Sequence, residues 1–419
     1  MKYMILFSTL VLLACKEAPK TAENLKEKAV RIAKKYVLVD GHIDVPHKLV
    51  ERWRDISVED STMNFDYVKA KKGGIDAPFM SIYVGRDFQK KGEGSQSENF
   101  KGGAFEHANK LIDLVERVEK EHPDKFKIAR TPQEIRDNFK KGIISLPMGM
   151  ENGAPIEGDL KKLDHLFNRG IRYVTLTHSR WNHICDSSYD KEKKWNGLSP
   201  FGETVVKKLN ELGCFIDISH VSDSTFYDVL KLTKAPVIAS HSSCRKFTAS
   251  FERNMSDDMI KALAKNDGVI MINFGSTFIS ERSRKYGGFF WDQETFITDS
   301  LKRKYGESGF ATLDKSILEK EAEGIRQSTQ FYATLEETVD HIDHVVKLVG
   351  INHVGLGSDY DGVGNSLPIG LKDASTYPHL IEELLKRNYS EADIAKLMGE
   401  NVLRIWEKVI EVSETLKKH

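Results

Sequence analysis

Histidine and carboxylate side chains stand at the ends of several short apolar runs in this sequence. They are His42, Asp44, Glu151, His178, His220, His241 and Asp359. This many ionisable residues at equivalent positions are hard to explain as packing, and gathered carboxylates would repel one another and raise their pKa values. Because divalent cations remove that repulsion and bind imidazole and carboxylate groups, the pattern predicts a metal site.

The candidate ligands divide into two sets. His42 and Asp44 alternate along one extended run, so both side chains point to the same side and can reach one cation. His220 and His241 would bind a second cation, and the two oxygens of Glu151 could bridge the pair. Nitrogen and oxygen ligands without thiolate suit Zn²⁺. Two such ions about 3.5–4 Å apart lower the pKa of a shared water toward about 7 and so make hydroxide available.

Eight apolar runs of four to nine residues carry these side chains or lie between them, and each has the composition of a buried parallel strand. They cover residues 37–44, 77–84, 143–151, 171–178, 214–220, 236–241, 268–274 and 353–359. Amphipathic stretches separate them, which favours a single TIM-type (β/α)8 barrel. Since all strands of such a barrel finish at one mouth, side chains scattered over 300 positions would meet there.

Two segments depart from this alternation. Residues 87–103 are polar and rich in glycine, which indicates a loop. Residues 276–330 form a long charged insert with helical stretches after the seventh run. A loop that follows a barrel strand lies on the face where active sites are built, so the insert is either a lid or rim of the site or a surface elaboration away from the chemistry.

The N-terminus predicts export. Residues 1–14 combine one lysine with a short apolar run and read as a signal peptide, and Cys15 stands where a bacterial lipobox has its lipidated cysteine. We expect residues 15–24 to be a tether, residues 25–419 to be one catalytic domain, and the protein to be lipid-anchored to the bacterial cell envelope on its periplasmic or surface face. The alternative is an ordinary secretory signal with a chance cysteine.

Composition excludes several classes of protein. Of 419 residues, 40% are apolar, which is enough for a sizeable core. Lys and Arg together number 62, as do Asp and Glu, so no global basic field for nucleic acid exists. The four cysteines are too few for a disulfide scaffold or a multi-cysteine zinc module.

Eight motifs together resemble the membrane (renal) dipeptidase family over roughly residues 30–410, without the insert. They are DGHID at 40–44, GMEN at 149–152, YVTLTHS at 173–179, GLSPFG at 197–202, IDISHVS at 216–222, PVIASHSS at 236–243, ERN at 252–254 and GSDYDG at 357–362. The resemblance implies a zinc-dependent barrel that hydrolyses dipeptides, here as a bacterial lipoprotein member.

The resemblance also implies roles for individual residues. The first zinc set would be His42, Asp44 and Glu151, and the second Glu151, His220 and His241. His178 matches the substrate-contacting histidine and Asp359 the acid/base aspartate. Arg253 matches the arginine that holds the substrate carboxylate.

This sequence departs from the family pattern at two places. The segment from His241 to Arg253 is one residue longer than expected, so Arg245 is a competitor for the carboxylate-binding role. Gly275 stands where an aromatic residue is expected after Asn-Phe, which leaves the pocket wall and the side-chain preference open.

The expected reaction is attack of a metal-bridging hydroxide on the peptide carbonyl of a dipeptide, with His178 and one zinc stabilising the oxyanion and Asp359 transferring the proton. Two alternatives remain at this point. One is another binuclear-metal amidohydrolase acting on a cyclic amide or lactone, and the other is a lipoprotein that binds peptides without catalysis. Whether the chain forms a homodimer also stays open.

Overall fold

The computed structural model describes residues 24–85, 88 and 103–418. The predicted signal peptide, Cys15 and nearly all of the predicted tether lie outside these residues, as does most of the 87–103 segment. None of the helices in the described ranges is long and apolar enough to cross a membrane.

Eight parallel strands close into a barrel, in the order β1-β10-β9-β8-β7-β6-β5-β2. They are β1 Val39–Ile43, β2 Ala77–Tyr83, β5 Met148–Glu151, β6 Ile171–Thr175, β7 Phe215–Asp217, β8 Ile238–Ala239, β9 Val269–Ile272 and β10 Val354–Leu356. Each of the eight predicted runs contains one barrel strand, and β1 pairs with both β2 and β10. The prediction of a TIM-type (β/α)8 fold is therefore confirmed.

The third predicted run is not one strand. It divides into β4, Ile144–Ser145, and β5, and β4 pairs with β3, Phe126–Lys127, in a separate two-stranded sheet. The break falls at Leu146 and Pro147: the Leu146 N–H donates to Lys127 O, whereas Pro147 has no N–H to donate. The chain changes partners there and enters the barrel beside β2.

Eighteen α-helices accompany the strands in the described residues. They are α1 Leu25–Lys35, α2 Val45–Glu51, α3 Tyr67–Gly73, α4 Ala104–Glu121, α5 Pro132–Lys140, α6 Leu160–Arg169, α7 Pro200–Leu212, α8 Asp223–Leu232, α9 Asp257–Lys265, α10 Ser276–Ile279, α11 Glu281–Lys285, α12 Gly287–Trp291, α13 Gln293–Thr312, α14 Lys315–Arg326, α15 Leu335–Val349, α16 Tyr377–Lys386, α17 Glu391–Ala395 and α18 Asn401–Leu416.

Local sequence explains where several of these helices begin. The Ser199 side chain accepts from Gly202 N and Pro200 occupies the first turn, so α7 starts with a capped, pre-set backbone. Thr334 and Glu337 form a reciprocal capping box at the start of α15. Such caps let each helix begin close to the preceding strand or loop.

The helix α18 closes the end of the barrel at which the strands begin. Its Trp406 is fully buried and packs on Phe79 of β2 and Phe215 of β7, with ring centroids 5.5 and 5.9 Å away. Val39, the first residue of β1, belongs to the same apolar cluster. This packing leaves the opposite end, where the strands finish, free for polar side chains.

The segment after β9 is helical, as expected, and comprises α10 to α14. Most of it packs on itself: Phe289, Phe290 and Phe331 form one small apolar cluster, and a second is built around Ile297 and Leu301. The outer helices of the insert thus have their own apolar contacts, whereas α10 lies against the barrel.

Candidate active site

The predicted site residues meet at the carboxyl ends of the strands. His42 lies on β1, Asp44 directly follows that strand, and Glu151 ends β5. The turns just after β6, β7, β8 and β10 carry, in that order, His178, His220, His241 and Asp359. Ligand atoms of three overlapping groups lie within 4.8 Å of one another: His42 with Glu151 and His241, Glu151 with His178 and His220, and His42 with Asp44 and Asp359.

Glu151 occupies the centre of this cluster. Its Oε2 lies 3.3 Å from His42 Nε2, whereas its Oε1 lies 3.0 Å from His220 Nε2 and 3.3 Å from His241 Nε2. The two oxygens of one buried carboxylate therefore face two different sets of imidazole nitrogens.

Unpaired buried acceptors surround Glu151. His42 Nε2 lies 3.4 Å from Asp44 Oδ2, and neither His42 Nε2 nor Asp44 Oδ1 has a hydrogen-bond partner among the described residues. A buried polar atom without a partner is costly, and a cation coordinated by these atoms removes that cost. The donor set fits divalent metal, with nitrogen and oxygen ligands and no thiolate.

Neighbouring side chains fix the orientation of the imidazole rings. The Tyr173 hydroxyl lies 2.6 Å from His42 Nδ1, and the Ser240 hydroxyl lies 2.8 Å from His241 Nδ1. Each contact occupies Nδ1 and turns Nε2 toward Glu151, as partners of metal-ligating histidines do. A Cβ on Gly149 would lie 1.9 Å from Tyr173 Cζ, so this glycine makes room for the Tyr173 ring.

The protonation of the cluster matches metal ligation at most positions. Burial alone would raise the pKa of Glu151, but His42, His178, His220 and His241 hold it well below its usual value. Burial lowers the pKa of His241 to about 3. A charged carboxylate beside a neutral imidazole is the form that binds metal. His42 differs: burial lowers its pKa, but Tyr173, Glu151 and Asp44 outweigh burial and raise it.

Asp359 is a buried carboxyl group with a pKa raised far above that of an exposed aspartate. Burial raises its pKa to about 8, Asp44 and Glu151 add to this shift, and His42 opposes it. Asn273 Nδ2 donates to Asp359 Oδ2 over 2.7 Å and leaves Oδ1 toward the site. A Cβ on Gly362 would lie 2.0 Å from Asp44 Oδ2 and 2.3 Å from Asp359 Oδ1, so glycine lets the two carboxyl groups approach.

The two candidate arginines have different surroundings. Arg253 is only 3% exposed, donates to Ser242 Oγ and His241 O, and lowers the pKa of both His178 and His220. Arg245 instead makes a two-pronged ion pair with Asp223 at 2.6 and 2.8 Å. The guanidinium of Arg253 therefore lies beside the site, whereas that of Arg245 is neutralised by Asp223.

A cavity of about 430 Å³ opens beside these groups. Its polar wall includes Asp44, Glu151, His178, His220 and Asp359. Phe278 and Val363 contribute apolar surface, and Tyr83 and Tyr189 contribute aromatic rings. The volume is near the lower limit of small-molecule pockets, which run from about 300 to 1,000 Å³.

Sequence reasoning missed Tyr173, Ser240, Asn273, Gly362 and Phe278. Tyr173 and Ser240 had a detectable signal, since each is a hydroxyl-bearing residue within an apolar strand run close to a predicted ligand. The others act through contacts between distant segments, for which spacing gives no signal. Cys15 lies outside the described residues.

A model of the membrane dipeptidase family, peptidase family M19, matches residues 26–419. The chain belongs to this family. As a member, it is a metallo-dipeptidase, a hydrolase of peptide bonds, and the two alternatives of a cyclic-amide hydrolase and a non-catalytic binding protein give way to that assignment.

Solved structures agree with this assignment. The probable dipeptidase PvdM from Pseudomonas aeruginosa is 27% identical, with a TM-score of 0.76 over 93% of this chain and 99% of that one. The dipeptidase AC, a metallopeptidase of family M19, is 25% identical, with a TM-score of 0.70 over 89% and 98%. A metallopeptidase from Rhodobacter sphaeroides, liganded with a phosphinate mimic of L-Ala-D-Ala, shares the fold at 24% identity, with a TM-score of 0.69 over 89% and 99%.

The contact between Tyr173 and His42 gives a first test for this dipeptidase. We expect Tyr173→Phe to weaken binding of divalent cation by about 10–100-fold, because His42 loses the partner that orients its ring. The measurement is competition with a chelator of known affinity. Tyr389→Phe is the matched control, since it removes a tyrosine hydroxyl that donates to Asp343 Oδ1 over 2.7 Å outside the site. Unchanged affinity in Tyr173→Phe would contradict this role.

Proposed function

We propose that this dipeptidase hydrolyses dipeptides with a free C-terminal carboxylate and depends on two Zn²⁺ ions, both of which Glu151 would help to hold. The observation that carries the proposal is the position of Glu151, whose two oxygens each face a different set of ligands. His42 and Asp44 would complete one set, and His220 and His241 the other. When bound, the two ions supply a hydroxide nucleophile at neutral pH and positive charge beside the scissile carbonyl.

Asp359 is the proposed proton carrier. Its carboxyl group lines the cavity, and its burial raises its pKa above that of an ordinary carboxyl group, which suits a group that takes up and releases a proton. Asp359 would take the proton of the attacking water and deliver it to the leaving amine. The bond from Asn273 keeps one oxygen occupied, so the other faces the reacting atoms.

His178 is the proposed oxyanion donor. Burial and the charge of Arg253 lower its pKa, although Glu151 opposes the shift, so the ring is neutral. The Ser179 hydroxyl lies 2.6 Å from His178 Nδ1 and can donate to it, which leaves the proton on Nε2. That N–H can donate to the oxygen that becomes negative in the transition state.

Arg253 is the proposed partner of the substrate carboxylate. Its buried guanidinium would form a charge-assisted pair with the C-terminus and fix the scissile bond over the ligand cluster. The dipeptide mimic bound to the Rhodobacter sphaeroides metallopeptidase supports a substrate of this length. The small cavity supports it as well.

We also propose that the mature protein begins at Cys15 and is held by its lipid on the bacterial cell envelope. The support is the sequence itself, in which a lysine and a short apolar run precede Leu-Ala-Cys. A lipid anchor would keep the barrel at the membrane surface without a transmembrane helix.

The roles of Glu151 and Asp359 can be separated. We expect Glu151→Gln to lose both bound metal and turnover, because the bridging charge disappears. We expect Asp359→Asn to retain metal but to lose at least about 100-fold in kcat, because the proton carrier is gone. Metal content and dipeptide turnover are the measurements.

Asp76→Asn is the control for these two variants. Asp76 is also a buried carboxyl group, but it precedes β2 and accepts from Leu38 N just before β1, at the end of the barrel opposite the predicted ligands. Its substitution should leave turnover unchanged. Near-normal hydrolysis by Glu151→Gln or Asp359→Asn would refute the assignment of that residue.

The carboxylate-binding role is tested with Arg253→Ala. We expect the KM for free dipeptides to rise at least tenfold while the KM for C-terminal dipeptide amides stays constant, because an amide offers no charge to pair. Arg404→Ala is the control, since Arg404 pairs with Asp267 away from the site, and it should leave both KM values unchanged. If Arg245→Ala raises the KM instead, the carboxylate role belongs to Arg245.

The anchor is tested by cell fractionation. We expect the wild-type protein to remain with the membranes and Cys15→Ser to lose the lipid and leave the membrane fraction, because no other lipid attachment is proposed. Cys185→Ser controls for loss of a thiol. Membrane association of Cys15→Ser equal to that of wild type would exclude lipidation at this cysteine.

A further inference from the structure

The first helix of the insert reaches the active-site cavity. Asn273, Phe274 and Gly275 lead from β9 into α10, and Phe278 on α10 lines the cavity beside Asp359 and Val363. The side chain is half-buried, so part of its ring is available to a bound molecule. Apolar surface next to a polar cluster is typical of a wall that selects among substrate side chains.

Buried hydrogen bonds hold α10 in place. Asn254 Nδ2 donates to Phe278 O over 2.7 Å. Cys244 N donates to His341 Nδ1, so the other ring nitrogen, Nε2, carries a proton and donates to Ile279 O over 2.9 Å. Because these partners come from separate segments of the barrel, the Phe278 backbone cannot shift without breaking several contacts.

Gly275 provides the space for this wall. A Cβ at Gly275 would lie 2.8 Å from Phe278 Cδ2 and 2.9 Å from Val363 Cγ1, both closer than side chains tolerate. The backbone of Gly275 has φ −54° and ψ 125°, which any residue adopts. Glycine is therefore required by the packing of Phe278 and Val363 and not by the backbone conformation.

The Arg253 guanidinium lies beside the Phe278 ring. The Arg253 guanidinium carbon is 5.4 Å from the centre of the Phe278 ring, within the range of a cation–π contact. The Phe251 ring packs behind Phe278, with centroids 5.8 Å apart. A substrate whose carboxylate pairs with Arg253 would thus bring its C-terminal side chain, and not its N-terminal one, toward Phe278.

We infer that Phe278 determines specificity for the C-terminal residue of the dipeptide and restricts it to small side chains. This inference rests on the proposed role of Arg253 in binding the substrate carboxylate. The wall is rigid because α10 is fixed, so it excludes bulky side chains by steric overlap.

Two substrate series test the inference with the full-length, metal-loaded enzyme. The series Ala-X varies the C-terminal residue and the series X-Ala varies the N-terminal residue, with X as Ala, Leu or Phe. We expect Phe278→Ala to raise the ratio of kcat/KM for Ala-Phe over Ala-Ala by roughly tenfold, the size of discrimination that an apolar pocket supplies. The corresponding ratio for Phe-Ala over Ala-Ala should stay constant.

Two further variants guard against loss of folding. Phe278→Leu keeps an apolar side chain and should shift the Ala-X ratio in the same direction by less. Gly275→Ala should lower kcat/KM for Ala-Ala, because the new methyl group displaces Phe278. Combining it with Phe278→Ala should recover part of that loss, because the overlap with Val363 remains. Ile317→Ala is the control, since Ile317 is 45% exposed on α14 of the same insert.

The outcomes separate this inference from the proposed function. A shift in the X-Ala series alone, or in neither series for folded Phe278→Ala and Phe278→Leu, would overturn the role of Phe278 while dipeptide hydrolysis stands. No recovery in the double variant would overturn the packing argument at Gly275. Failure of the metal-loaded wild type to hydrolyse either series would overturn both the inference and the proposed function.

Discussion

The rest of the structure depends on one constraint. Charged and ionisable groups are concentrated and buried at one end of the barrel. Glu151 is buried and ionised, and Asp44 and Asp359 approach each other across Gly362. Removing carboxylates from water is costly unless opposite charge compensates them. The imidazole rings supply only part of that compensation, since burial lowers the pKa of His220 and His241 and keeps both rings neutral. The buried guanidinium of Arg253 adds positive charge beside the cluster, and the metal of a metallo-dipeptidase would supply more.

The two ends of the barrel have different compositions: one is filled by apolar side chains and the other carries the ionisable cluster. Trp406 and its aromatic neighbours fill the end at which the strands begin, and the ligand cluster occupies the end at which they finish. Tyr173 connects the two regions: its ring packs 5.3 Å from Phe79 in the inner core, and its hydroxyl reaches His42. The orientation of a ligand is thereby set by the same packing that stabilises the barrel.

The sequence was sufficient to predict the barrel and the cluster because both depend on regular features. Apolar runs identify parallel strands, and ionisable residues at their ends meet at one mouth whatever their separation along the chain. The split of the third run was missed although Pro147 signals a break in it, and the partner change from β3 to β2 becomes evident only in the fold. Asn273 and Gly362 were missed for a related reason, since their importance lies in contacts with Asp359 and Asp44 that arise only in the folded chain. The different surroundings of Arg253 and Arg245 likewise arise only in the folded chain, where Arg245 forms its ion pair with Asp223.

The outer helices of the insert are held by small apolar clusters of their own, which affects how readily they open. Its two aromatic and aliphatic clusters are separate from the main core, whereas Ile279 of α10 belongs to that core. Segments with their own small core open locally at lower free energy than a barrel does. The boundary between a stable unit and a more readily exchanging one therefore falls after Ile279, so local opening of the outer helices leaves the Phe278 ring in place.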